Sequence, residues 1–151
     1  MKISTFNATC TTCHSNVDVP LLSDFSYGEF LYSSVDGQEI RYYCALECPT
    51  WKLVDEIIGY FIKDRDRKKQ GAIIQKIIGL IADRDDQDLF FTPDIYCPSC
   101  HSILKSINPD QRTGLQEYSD LTFNGFERMG HEEKRNLLRR LLKGLAEGGN
   151  R

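Results

Sequence analysis

Two short stretches, CTTC at residues 10–13 and CALEC at residues 44–48, decide the predicted fold, because each places two thiols close together in the chain. The thirty residues between them have the composition of a β-hairpin. Two close pairs held apart by a rigid hairpin would supply the four thiolates of a tetrahedral Zn²⁺ site, each sulfur at about 2.3 Å from the ion. We therefore predict a first metal site made of Cys10, Cys13, Cys44 and Cys48.

The segment between the two cysteine pairs carries the signals of a hairpin followed by a helix. Residues 25–34 and 38–44 are rich in aromatic and β-branched side chains, and Asp36-Gly37 between them suits a tight turn. A helix is predicted over residues 50–63, beginning either at Thr50 or in the turn at Cys44. Knuckle, hairpin and helix in this order predict a treble-clef-like zinc finger.

This part of the chain resembles the TRASH- and YHS-type fingers. The resemblance is carried by Gly28, Asp36-Gly37 and the run YYCALEC at residues 42–48, which is similar to the group's G, DG and (Y/F)-C-S-x-x-C pattern. It covers roughly residues 8–62 and departs at Ala45, where the group has Ser, and at residues 51–54, where the expected aromatic is displaced. The resemblance implies that both cysteine pairs are ligands, and it does not choose among RNA binding, metal sensing and protein contact.

A third cysteine pair, CPSC at residues 97–100, is followed by His and Ser, as the first pair is. Three arrangements are open for it: a second site that is incomplete or intermolecular, one site shared with Cys10 and Cys13, or a reduced dithiol. His131 lies as far beyond Cys100 as Cys44 lies beyond Cys13, which suggests a decayed duplication. Cys97, Cys100 and His131 are therefore candidate ligands of a second site, and we expect one or two Zn²⁺ ions per chain.

The histidines permit two other interpretations. CxxCH, present at residues 10–14 and 97–101, is also the attachment motif of c-type haem. That alternative conflicts with the lack of a visible export signal and would leave Cys44 and Cys48 without a role. His131 in turn suits the exposed first turn of a helix, beside acidic residues.

Amphipathic periodicity predicts a mainly helical remainder. Isoleucines form a stripe on a helix over residues 70–83, and leucines form one face of a terminal helix around residues 137–145. Residues 108–125 lack a clear period and are predicted to be a loop. We expect an α+β protein with a treble-clef-like unit over residues 1–64 and a helical region over residues 65–151, packed as one compact unit.

Composition and motifs argue against catalysis and against membrane insertion. The 151 residues contain no phosphate-binding loop, nucleophile elbow, HExxH motif or run of about eighteen apolar residues. Six cysteines in a chain without a visible signal peptide favour metal ligation over disulfides and indicate a cytoplasmic location.

We therefore expect a non-enzymatic zinc protein that contacts another protein as an adaptor, regulator or inhibitor. A net charge of −3 argues mildly against general nucleic-acid binding. The alternative is an RNA- or DNA-binding protein that uses two basic segments, with the candidate contacts Arg65, Arg67, Lys68, Lys69, Arg139, Arg140 and Lys143.

Overall fold

The computed structural model describes residues 1–62, 67–105 and 107–148. Helices and small antiparallel sheets are combined in these ranges, which confirms the α+β class. The elements in chain order are β1 (Lys2–Thr9), β2 (Asn16–Pro20), β3 (Glu29–Ser34), β4 (Ile40–Cys44), α1 (Pro49–Phe61), α2 (Arg67–Ile81), β5 (Phe91–Thr92), β6 (Arg112–Glu117), α3 (Asn124–Glu127) and α4 (His131–Gly148).

The first sheet has the order β2-β1-β6, with both pairings antiparallel. Strands β1 and β2 form a hairpin whose tip is the CTTCHS segment, so the first cysteine pair lies at the end of a two-stranded arm. The sheet also joins the beginning of the chain to residues 112–117, a region predicted to be a loop. That prediction was wrong for β6, because the strand is an exposed, polar edge strand that shows no apolar alternation.

The second sheet has the order β4-β3-β5 and contains the predicted hairpin. Its turn holds Gly37 at φ +75°, a conformation that glycine adopts without steric cost. A Cβ at Gly37 would lie 2.5 Å from the Tyr96 carbonyl oxygen. The turn is therefore packed against the backbone that leads directly into Cys97, which ties this sheet to the third cysteine pair.

The core lies between the second sheet and helices α1, α2 and α4. The predicted isoleucine stripe of α2 is buried in it, with Ile77 and Ile78 fully inaccessible to solvent. Leu138 of α4 and Val54 of α1 are equally buried. Phe30 stacks on Trp51 at 5.4 Å between ring centroids, which joins β3 to α1. Burial of this apolar surface is the main favourable term in folding, so the second sheet and the helices share one hydrophobic core.

None of the helices in the described ranges is long and apolar enough to cross a lipid bilayer.

Candidate metal centre

The first CxxCHS segment folds into a tight knuckle at the tip of the β1–β2 hairpin. The amide of Cys10 donates to the Ser15 carbonyl at 2.9 Å, and the amide of His14 donates back to the Cys10 carbonyl at 2.9 Å. His14 has φ 60°, in the left-handed region where His is more frequent than most non-glycine residues. The knuckle thus directs two thiols to one side of the hairpin tip.

The second CxxCHS segment repeats this geometry. The amide of Cys97 donates to the Ser102 carbonyl at 2.8 Å, and the amide of His101 donates to the Cys97 carbonyl at 2.8 Å. His101 has φ 57°. A short antiparallel bridge between Tyr96 and Ile103 closes the hairpin behind it. The shared sequence of the two segments therefore corresponds to a shared backbone conformation, in which both histidines are exposed.

The two knuckles face each other and bring four sulfur atoms together. The sulfurs of Cys10, Cys13, Cys97 and Cys100 all lie within 4.8 Å of one another. Cys10 Sγ is 3.6 Å from Cys100 Sγ, and Cys13 Sγ is 3.7 Å from Cys97 Sγ. A tetrahedron with metal–sulfur bonds of about 2.3 Å has sulfur–sulfur edges of about 3.8 Å, so the spacing fits one four-coordinate ion. A disulfide would need about 2.05 Å, and all four cysteines are free.

This four-cysteine site, made of Cys10, Cys13, Cys97 and Cys100, is enclosed on one side. Cys10 and Cys97 are buried, and the other two are half-buried. Two serine hydroxyls lie against the sulfurs. Ser102 Oγ is 3.2 Å from Cys10 Sγ and 3.1 Å from Cys100 Sγ, whereas Ser15 Oγ is 3.2 Å from Cys13 Sγ. Hydroxyls so placed can donate to thiolates and disperse the negative charge of a four-thiolate site.

The environment of Cys10 favours its thiolate. The Ser102 hydroxyl, followed by the backbone amides of Cys13 and Thr12, lowers the pKa of the Cys10 thiol from 9.0 to about 5. Because the thiolate is the form that ligates metal, this sulfur is prepared for binding at neutral pH.

The pKa values of two further thiols, Cys13 and Cys100, are shifted in opposite directions. The Ser15 hydroxyl is the main reason why the pKa of the Cys13 thiol is lowered. The Ser102 hydroxyl also lowers the pKa of Cys100, but burial and the nearby Cys13 and Cys10 thiols outweigh it, so that the net shift is upward. Four thiols this close cannot all ionise without a cation between them, because like charges disfavour each other.

The structure groups the cysteines differently from the predicted first site. Cys10 and Cys13 meet the third cysteine pair, which is the shared arrangement among the three left open, and they do not meet Cys44 and Cys48. The predicted set failed because pairing across more than eighty residues depends on tertiary structure. The hairpin that was expected to carry both pairs belongs to the second sheet, and Cys44 ends its strand opposite Glu29.

His131 does not join Cys97 and Cys100. It is the first residue of α4, is exposed, and lines a surface cavity with Glu56, Tyr60 and Arg135. The alternative prediction, an exposed first-turn histidine, describes its position.

The basic residues of the nucleic-acid alternative are described only in part. Arg65 lies outside the described residues, and Arg67 opens α2 with a side chain that is not described. Lys68 and Lys69 are exposed in the next positions of α2, and Arg140 is exposed on α4. Arg139 stacks its guanidinium 5.1 Å from the Phe61 ring centroid, and Lys143 lies 3.9 Å from Glu147.

Sequence reasoning missed Ser15 and Ser102 as functional residues. The signal was present, since the repeated motif includes the serine at the same offset from each cysteine pair.

The chain matches no protein-family model, and comparisons with curated proteins and with solved structures give no match. The resemblance to TRASH- and YHS-type fingers accordingly stays a prediction.

Proposed function

We propose that this chain is a zinc protein in which the four-cysteine site is structural and the remaining surface contacts a partner protein. The observation that carries the proposal is the convergence of four sulfurs at tetrahedral spacing. Two C-x₂-C pairs form the donor set of structural zinc sites, which are closed and lack an open coordination position for substrate. Zn²⁺ bound there would cross-link two hairpin tips that are distant in sequence.

The role of such a cross-link follows from where the two knuckles lie. One ends the arm of the first sheet, and the other follows the segment packed on Gly37 of the second sheet. An ion shared between them would fix the first sheet to the second sheet. The coupling gives the protein a rigid surface, although the first sheet contributes no residue to the main core.

An exposed apolar patch supports a protein partner. Phe25 is 96% exposed, Tyr27 86% and Leu46 62%. The segments that carry them are joined, because the Ala45 amide donates to the Gly28 carbonyl at 2.8 Å and the Leu46 side chain lies against Gly28. Aromatic side chains are enriched at protein interfaces and costly to expose in a cluster. We name Phe25, Tyr27 and Leu46 the loop patch.

The experiment compares immobilised wild type, the double variant Phe25→Ser/Tyr27→Ser and the control Tyr60→Ser, which removes a 77% exposed aromatic side chain near the C-terminal end of α1. A partner that uses the loop patch should be retained by wild type and control and lost by the double variant. Retention should persist when salt rises from about 0.1 M to about 0.5 M, whereas phosphate-dominated binding would weaken steeply. A nucleic acid released by salt and insensitive to the double variant would overturn the proposal.

A further inference from the structure

A second pair of thiols lines a cavity away from the four-cysteine site. The cavity has a volume of about 590 Å³, and its walls include Cys44, Cys48, Glu29, Tyr42 and Tyr43. Cys44 is the last residue of β4, and Cys48 is the N-cap of α1. Both thiols therefore line one cavity at the junction of β4 and α1.

Glu29 stands beside these thiols because of strand register. It is the direct antiparallel partner of Cys44, so the two side chains lie on the same face of the sheet. Tyr42 lies on that face as well, two residues before Cys44, and its hydroxyl donates to Glu29 Oε1. A carboxylate offers two oxygens and about four lone-pair sites, so it can accept from Tyr42 and still ligate an ion. Such an outer hydrogen bond orients ligating carboxylates.

Tyr43 lies on the face of β4 opposite Cys44, and its hydroxyl is beside Cys48. Its side chain is 3% exposed, and its hydroxyl has no hydrogen-bond partner among the residues that the structure describes. Buried hydroxyls are nearly always hydrogen-bonded, so an unpartnered one calls for an acceptor. Tyr43 lines the same cavity as Cys48. A Cys48 thiolate held by a metal ion is an acceptor of the required kind.

We propose that Cys44, Cys48 and Glu29 bind a second, borderline-soft divalent cation of the Zn²⁺ class, separately from the four-cysteine site. Thiolates exclude Mg²⁺ and Ca²⁺ as the natural occupants, whereas two thiolates and one carboxylate suit Zn²⁺. Three protein ligands leave one coordination position open to water or another donor. Binding releases the two thiol protons to solvent, and no electron is transferred.

This second site is less preorganised than the first. Among the described residues, only the four-cysteine site has three or more metal-binding atoms within 4.8 Å of one another. Ligation by Cys44, Cys48 and Glu29 therefore requires their side chains to rotate toward the ion. The second ion should bind more weakly than the first and exchange more readily.

The experiment counts Zn²⁺ bound to the full chain, by elemental analysis after equilibration with excess zinc and removal of the unbound metal. We expect two ions for wild type and one for Cys44→Ser/Cys48→Ser, in which the serine at position 48 remains a favourable N-cap. With Co²⁺ as the probe, each bound ion adds thiolate-to-cobalt charge-transfer absorption. The weaker ion should add about half as much absorption as the tighter ion, since it is bound by two thiolates and the tighter ion by four. One ion in wild type, or a second ion retained by the double variant, would overturn the proposal.

A matched pair of carboxylate variants identifies the third ligand. Glu29→Gln should lower the affinity for the second ion by about tenfold or more, because it removes the negative charge of a ligating carboxylate. Glu47→Gln serves as the control, since Glu47 lines the same cavity but is exposed. Equal weakening by both variants, or none by Glu29→Gln, would refute the assignment of Glu29. Because none of these variants touches the four-cysteine site, failure here leaves the proposed function standing.

Discussion

The two cysteine regions of this protein contain the same functional group and differ in how the backbone presents it. In the four-cysteine site, two knuckles of the same conformation hold sulfurs 3.6 and 3.7 Å apart across the centre. Around Cys44 and Cys48, a strand end and a helix N-cap place two thiols in a cavity without comparable convergence. Repeated local geometry gives preorganisation, whereas thiols on two different elements give a looser and more exchangeable site.

The largest effect is expected from removing zinc from the four-cysteine site. Chelation should lower the free energy of unfolding by several kcal/mol, because metal binding is coupled to folding. The free energy of zinc binding is about 10–16 kcal/mol in zinc-finger peptides that lack a core. Thermal unfolding with and without chelator measures this loss. The double variant Cys44→Ser/Cys48→Ser is the comparison, and chelation should destabilise it about as much as wild type, because it keeps the four-cysteine site. Equal stability with and without zinc would contradict a structural role.

A core substitution should destabilise the protein without affecting either metal region. Ile77→Ala removes a fully buried side chain of α2, and we expect a loss of about 2–5 kcal/mol from transfer and cavity terms. Denaturant unfolding gives the stability change, and elemental analysis should give an unchanged zinc content. A loss of zinc in the folded variant would show that the helical core and the metal site are coupled more tightly than their separate locations indicate.

The turn at Gly37 tests whether the second sheet positions the second knuckle. Gly37→Ala places a side chain in the left-handed region and against the Tyr96 carbonyl, which should cost about 1–3 kcal/mol of stability. It should also weaken zinc binding, because the backbone next to Cys97 must shift. Chelator competition measures the affinity.

Gly144→Ala is the matched control for the turn variant. Gly144 lies in α4 with no atom within 4 Å of a Cβ built there, so alanine should be neutral or stabilising by about 0.5–1 kcal/mol. If Gly37→Ala left zinc affinity unchanged while destabilising the fold, the packing between turn and knuckle would have no role in the site.

The smallest effect is expected from Ser102→Ala. Loss of the hydroxyl that lies against Cys10 and Cys100 should weaken zinc binding by about tenfold, as for other groups that orient metal ligands. Ser119→Ala, at an exposed position outside the four-cysteine site, is the control. Equal affinities for the two variants would exclude a role for the Ser102 hydroxyl.

The same serine sets an expected pH dependence. The folded pKa of Cys10, about 5, is depressed from 9.0, so its thiolate favours the folded state above pH 9.0, and that contribution is lost as the pH falls through about 5. Because Ser102 is the largest cause of the depression, Ser102→Ala should release zinc at a higher pH than wild type. Zinc release followed during acid titration checks the direction of the shift.

Local patterns were sufficient for the parts of the fold that depend on local structure. The β3–β4 hairpin and helices α1, α2 and α4 were predictable from turn chemistry and apolar periodicity, and the isoleucine stripe of α2 is buried as expected. Strand β6 was not predictable, since its one large apolar residue, Leu115, is 58% exposed. The four-cysteine grouping was predicted wrongly, with Cys44 and Cys48 in the first site, and the shared arrangement was only one of three left open for the third pair. Spacing along the chain does not reveal which hairpin tips meet.

The most direct test of the central claim is the tightly bound zinc of two single variants, Cys97→Ser and Cys44→Ser, measured by elemental analysis after brief exposure to a chelator that strips weakly held metal. Cys97 belongs to the four-cysteine site and Cys44 does not. We predict that Cys97→Ser loses the tightly bound ion and that Cys44→Ser retains about one per chain, as expected for a closed four-thiolate site. The reverse pattern, with zinc lost from Cys44→Ser and kept by Cys97→Ser, would contradict the account.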